Sequence, residues 1–224
     1  MEYSTAFENF NAQLLTHRRW FYMTTQRNKV AAISLSFWVL KFLATTLGEL
    51  LGDSLSITLG LGDSWAFLVT LAVTTILLGT QVKATRFHTF SYWPSLIAIV
   101  ALSSESSDML SGALSDGHRL DTLIFALCLL ILFVLWQIIS GPIRLYPIQK
   151  GPEELFYWVA VFFASGLGVA FGDFLSDNLT LGILSGALIT VIVLASMLFA
   201  YYATRIDRRL IFWVTFIFTR PFGA

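Results

Sequence analysis

Charge is scarce in this chain. Only 12% of its residues are Asp, Glu, Lys or Arg, and the two signs cancel to a net charge of zero. Soluble domains carry about 25% charged residues. A nucleic-acid binder needs a basic surface, and a disordered chain needs low hydrophobicity with a large net charge, so both classes are set aside. Cysteine is nearly absent: Cys128 stands alone inside an apolar run. That excludes a disulfide framework and a thiolate metal site, and leaves Cys128 as a small lipid- or helix-facing residue. His17, His88 and His118 lie in separate non-apolar segments without ligand spacing, which argues against zinc. Residues 1–29 have scattered charges and no compact apolar core before a cleavage site, so they are not a secretory signal.

What is present in their place is apolar surface. Hydrophobic residues make up 56% of the chain and its mean hydropathy is +0.74. Apolar runs near 20 residues long mark membrane-spanning helices. The pattern predicts an all-α, polytopic transmembrane bundle with spans near 30–51, 64–80, 92–112, 121–141, 157–174 and 182–203, and a seventh starting near 210. Gly141-Pro142, Gly151-Pro152 and Arg205-Ile206-Asp207-Arg208-Arg209 punctuate the runs. In residues 1–29, Phe7, Phe10, Leu14, Leu15 and Phe21 recur near helical spacing, with His17, Arg18 and Arg19 between. That segment reads as a helix along the inner membrane surface or as a partly ordered, solvated tail.

The basic residues are one-sided. Arg18, Arg19, Arg27, Lys29, Lys83, Arg86, Arg144, Lys150, Arg205, Arg208 and Arg209 fall in the tail and in the loops after the second, fourth and sixth spans. The opposite loops hold Arg119 alone among Asp53, Asp63, Asp108, Asp116, Asp121, Asp173 and Asp177. The positive-inside rule then places the N-terminus in the cytoplasm and the Asp-bearing helix ends outside.

A short phrase recurs within this frame. Phe37-Trp38 leads to Gly52-Asp53, Tyr157-Trp158 to Gly172-Asp173, and Tyr92-Trp93 to Ser107-Asp108, with the Asp 15 residues after the Trp each time. Phe212-Trp213 is a fourth aromatic pair. The Trp steps of 55, 65 and 55 residues each hold two spans, so the copies point the same way, as parallel repeats about an axis near the membrane normal. Repeats are expected near 30–85, 86–150 and 151–205, with 206–224 an incomplete fourth. Leu210 to Ala224 would make a helix of about 22 Å, short of the roughly 30 Å hydrocarbon core. A chain that stops inside its fourth repeat, with eight spans when complete, is the expectation.

The phrase resembles a bacterial membrane-protein family of unknown function, built from four tandem two-helix repeats with a Trp and a Gly-Asp in each. Lys41, Thr45-Thr46, Gly48-Glu49 and Gly52-Asp53 carry the likeness in the first repeat. Gly166, Gly168 and Gly172-Asp173 carry it in the third, and Thr219 to Ala224 in the fourth. The second departs from it, with Ser107 for the Gly and Glu105 one position out of register with Glu49. The resemblance implies eight helices and no established activity.

Candidate residues follow from the cost of polarity in a bilayer. Lys41, Thr45, Gly48 and Gly52 share one helical face, with Glu49 at its border and Asp53 a turn beyond. Lys41 lies about 18 Å from Asp53 along the axis, deep in the bilayer. A charge there costs about 2.5–3.5 kcal/mol on insertion scales and should face the bundle interior or a wet cavity. Asp53, Asp108 and Asp173 at one depth would make a carboxylate ring that attracts cations, with Asp53, Glu49 and Asp173 the candidate metal ligands. A polar helix end explains each acid equally simply. Gly48-x-x-x-Gly52 and Gly168-x-x-x-Gly172 suit close helix packing. The Trp residues suit anchoring at the membrane interface. Asp173-x-x-x-Asp177 has the spacing of metal pairs in intramembrane transferases, without the surrounding acids of such enzymes.

These residues point to an inner-membrane transporter or channel-like protein for a small solute, a cation first. Lys41, Thr45, Glu49, Asp53, Asp108, Asp173 and Asp177 would bind or gate it. The alternatives are a non-catalytic scaffold whose buried charges specify helix packing, and an intramembrane enzyme. Catalysis is not expected, no cofactor is implied, and the expected partners are the lipid bilayer and a small cation or proton. The oligomeric state stays open.

Overall fold

The computed structural model describes residues 28–60, 62–114, 118–148, 151–175 and 182–219. Seven α-helices make up these residues, and no strand occurs among them. They are α1 (Leu35–Asp53), α2 (Asp63–Lys83), α3 (Thr89–Ala113), α4 (His118–Ser140), α5 (Pro152–Asp173), α6 (Gly182–Ala203) and α7 (Arg208–Phe218). Leu35–Thr58, Asp63–Lys83, Arg119–Ser140 and Pro152–Asp173 are long and apolar enough to cross a membrane. The chain is a helical membrane protein, folded as a bundle.

Local chemistry sets the helix starts. Ser34 accepts a hydrogen bond from Phe37 N at 3.2 Å, and Asp207 accepts one from Arg209 N at 2.9 Å, satisfying donors that a first turn leaves open. Pro152 opens α5, where its missing N–H costs nothing, after Gly151 at φ 116° makes the turn. The Gly-Asp phrase was expected to end its helix. Instead α1 runs on from Asp53 into a wider π turn, Ser54–Thr58, and α5 likewise passes from Asp173 into π geometry at 174–175. In α3 the sequence Ser107-Asp108 stays within regular α-helix to Ala113.

Packing follows a simple rule. The helices that carry the aromatic pairs, α1, α3, α5 and α7, contact one another in that order, while α2 lies on α3, α4 on α5 and α6 on α7. Thr74 Oγ1 ties α2 to α3 by donating to Ala98 O at 3.1 Å. Two glycines set the closest approaches. A Cβ on Gly48 would stand 2.8 Å from Val100 and from the Ile97 carbonyl, and one on Gly166 would strike the Phe125 ring. The small-residue reading of these positions therefore holds.

Phe37, Trp38, Phe212, Trp213, Tyr157, Trp158, Tyr92 and Trp93 form a closed circuit of rings at one end of the bundle, hereafter the Trp end. Each aromatic pair is edge-on internally, at 5.2–5.3 Å between ring centroids. Each Trp then meets the first ring of another pair: Trp38 with Phe212 at 5.5 Å, Trp213 with Tyr157 at 6.3 Å, Trp158 with Tyr92 at 5.3 Å and Trp93 with Phe37 at 5.9 Å. This brings α7 back to α1 and closes the inner helices into a ring. Interface anchoring was the expected role of these tryptophans. The structure corrects it: Trp158 and Trp213 are buried and Trp38 and Trp93 half-buried, because each indole finds its apolar surface on another ring.

Candidate functional site

Lys41 lies on the buried face of α1 and is 1% exposed. Its Nζ donates to Thr45 Oγ1 at 2.6 Å and to Thr219 Oγ1, at the end of α7, at 3.3 Å. It also stands 4.1 Å from the centroid of the Phe216 ring. Thr45 Oγ1 spends its own proton on Lys41 O at 2.8 Å, and Thr219 Oγ1 on Phe216 O at 2.7 Å, so each hydroxyl offers the ammonium a lone pair. Two hydroxyls and an aromatic face thus replace part of its hydration shell. The Lys41–Thr219 bond also fastens α1 to α7 one turn beyond the aromatic circuit.

The sequence-predicted acids gather less tightly. Asp53 and Asp108 are exposed on α1 and α3, while Glu49 and Asp173 are half-buried on α1 and α5. Asp177 lies outside the described residues. Among the described residues no three of His, Cys, Asp and Glu come together to hold a metal ion, so Asp53, Glu49 and Asp173 do not assemble as one ligand set there.

The acid that sequence reasoning passed over is Glu105. It was set aside as one position out of register with Glu49, yet it is 3% exposed, deeper than any of the repeat aspartates. Its Oε1 has no hydrogen-bond partner. Gly52 of α1 lies against it: a Cβ there would stand 3.3 Å from Oε1 and 3.8 Å from Ala101 O. The negative charges of Asp108 on α3, Asp63 at the start of α2 and Asp53 on α1 all act on it. A signal was available in the polar run Ser103-Ser104-Glu105-Ser106-Ser107-Asp108. Such a run within a spanning helix is too polar to face lipid on all sides and must turn inward. Ser107 Oγ continues the polar seam by donating to Asp121 Oδ2 of α4 at 3.2 Å.

Lys29 is a second correction. Its charge was assigned to the tail as part of the positive-inside bias, but it is fully buried and paired with Glu154 of α5. Its Nζ also donates to Val82 O at 2.9 Å, and its carbonyl accepts from Gln81 Nε2 at 2.9 Å. Beside it, Asn28 O accepts from Phe87 N at 2.7 Å and Asn28 Oδ1 from Ile148 N at 2.9 Å. Two residues therefore clasp the end of α2, the loop after it and the approach to α5. The rest of the expected N-terminal segment, 1–27, lies outside the described residues.

An apolar crevice of about 330 Å³ opens between α1 and α6, lined by Phe42, Val191, Leu194, Ala195 and Leu198. It contains none of the polar candidates. Its lining suits hydrocarbon rather than an ion.

Comparison with known proteins adds a repeat likeness and nothing about activity. No curated protein and no solved structure matches the chain. Residues 36–87, which hold α1 but for its first residue and all of α2, and residues 156–207, which hold most of α5 and all of α6, each match the family model described as Repeat of Unknown Function (DUF347). Two segments of this helical membrane chain, less than half of its length together, are thus similar to the DUF347 repeat.

Proposed function

We propose that this protein moves a small solute across a bacterial inner membrane, a cation first, with the ring of α1, α3, α5 and α7 as its pathway-bearing core. The observation that carries the reading is Lys41, an ammonium held inside that ring by Thr45 and Thr219. A charge within a spanning helix is costly unless it serves a pathway or a fixed contact. The acids toward the other end of the same helices, Glu49, Asp53, Asp108 and Asp173, form the mouth, and Lys41 is the charge barrier or proton-coupling group behind it. The N-terminus is cytoplasmic and the Asp end outside, on the strength of the basic bias of the opposite loops. Four repeats are read from the aromatic circuit, in which four pairs share one edge-on geometry. No catalytic role is proposed.

Sealed vesicles carrying the purified full chain test this. Glu49→Gln, Asp53→Asn and Lys41→Met should each change the flux of protons, alkali ions or divalent metals. Unchanged flux of every one of these in all three variants overturns the reading. The scaffold alternative draws on the close fit at Gly48 and the ring contacts of Lys41, and it predicts that Lys41→Met lowers melting temperature with no flux to alter.

A further inference from the structure

The α1–α3 seam contains a carboxylate in an unusual position. Glu105 is almost wholly removed from solvent, and Oε1 has no hydrogen bond. A buried carboxylate keeps its charge only when an opposite charge or several donors meet it. Gly52 of α1 packs directly on this oxygen: the nearest atoms to an added Cβ are Oε1 itself at 3.3 Å, Glu105 Cγ at 3.7 Å and the Ala101 carbonyl at 3.8 Å. Oε1 and the Ala101 carbonyl both face Gly52, and carboxylate and carbonyl oxygens are the donor types that hard cations take.

The charges around it all have the same sign. Asp53 from α1, Asp63 from α2 and Asp108 on α3 act on Glu105, and all three are exposed, so they draw cations toward the seam without occupying it. Glu49 lies one turn back on α1, and Asp121 of α4 is engaged by Ser107 on the other side. Asp121 is buried too but accepts from Ser107 and Thr122 N, which leaves Glu105 as the carboxylate that calls for one positive charge.

We propose that Glu105, opposite Gly52, forms a binding site for a small monovalent cation, with a proton as its competitor. This rests on the transport reading for its purpose, though not for its geometry. The site lies off the axis of Lys41, between two inner helices, and is reached from the Asp end. No bond is made or broken beyond the carboxylic O–H: when the cation arrives the proton leaves to water, and the reverse exchange restores it.

Equilibrium dialysis of the purified full chain against radiolabelled sodium or rubidium, at mildly alkaline and mildly acid pH, tests it. N-methylglucamine replaces the ion to hold ionic strength constant. Saturable binding of one ion per chain is expected, weaker at acid pH. Glu105→Gln should weaken it about tenfold or more, the equivalent of at least one decade in Kd. Gly52→Ala, which places a methyl group beside Oε1, should weaken binding while the chain still melts cooperatively, and Asp121→Asn should leave binding unchanged. If Glu105→Gln fails to fold, Glu105→Asp serves: it keeps the charge, draws the oxygen back, and should change the preference between sodium and rubidium. Absence of saturable binding, or equal binding by folded wild-type and Glu105→Gln chains, overturns the site. Equal binding by the two chains together with intact vesicle flux overturns the site and leaves transport standing. Glu105-dependent binding without any flux does the opposite.

Discussion

The two ends of the bundle solve the problem of polarity in opposite ways. At the Trp end the buried charges and hydroxyls are paired inside the protein, Lys29 with Glu154 and Val82 O, Gln81 with Lys29 O, and Tyr92 with Tyr157 through their hydroxyls at 2.6 Å, while the indole N–H groups of Trp158 and Trp213 have no hydrogen-bond partner. Above and between these groups the aromatic circuit removes free volume. At the Asp end the acids Asp53, Asp63 and Asp108 face solvent, and Glu105 keeps an unmatched oxygen behind them. A matched network stabilises one conformation, whereas an unmatched buried charge invites a ligand. The Trp end therefore reads as the structural half of the molecule and the Asp end as the responsive half.

The sharpest way to break that contrast is to unmatch the Trp end. Lys29→Ala leaves Glu154 buried without its cation, and removing one member of such a pair costs about 3–5 kcal/mol. Denaturant unfolding in detergent should show a large loss of stability. The double variant Lys29→Met with Glu154→Leu should recover much of it, since replacing both partners by apolar groups removes the desolvation cost too. If the double variant stays as unstable as the single, the pair is not the source of the effect.

A smaller loss tests the seam between the halves. Gly48→Ala pushes a methyl group to 2.8 Å from the Val100 side chain and the Ile97 carbonyl, and overpacking of this kind costs about 1–3 kcal/mol. The Ile97 carbonyl belongs to the backbone and cannot step aside. Gly52→Ala meets Glu105 Oε1 at 3.3 Å, and a flexible carboxylate yields more readily. Melting temperatures should rank wild type above Gly52→Ala and Gly52→Ala above Gly48→Ala. The reverse order would mean that Glu105 is held rigidly.

Much of this was legible in the sequence. Each predicted span from 30–51 to 182–203 has its helix, because long apolar runs bounded by Gly, Pro and charge leave few other outcomes in a bilayer. The aromatic-Trp pairs were visible as a repeat, but their partners were not. Ring-to-ring contact between Trp38 and Phe212 depends on four helices closing on each other, and no local pattern specifies it. Lys41 was found because one charge in an apolar run stands out. Glu105 was missed for the converse reason: among serines its polarity looks ordinary, and register with Glu49 was taken as the criterion. Burial depends on the helix face set by packing, and α3 presents that face to Gly52. Lys29 was misread because positive-inside counting treats every basic residue near a span as a surface charge.

The tyrosine pair gives the smallest and most discriminating effect. Tyr92 and Tyr157 occupy the positions that Phe37 and Phe212 hold in the other two pairs, so a phenyl ring is compatible with the circuit. Tyr92→Phe deletes one hydroxyl and leaves the other buried without its partner, a cost of about 1–3 kcal/mol. Tyr92→Phe with Tyr157→Phe removes both groups and should return close to wild-type stability, because no polar atom is then stranded. A double-mutant cycle on melting measures the coupling directly. Near-additive losses would show that each hydroxyl has another partner and that the two are not coupled. A clear return toward wild type, with ion binding at Glu105 unchanged, would show that the two ends are energetically separate.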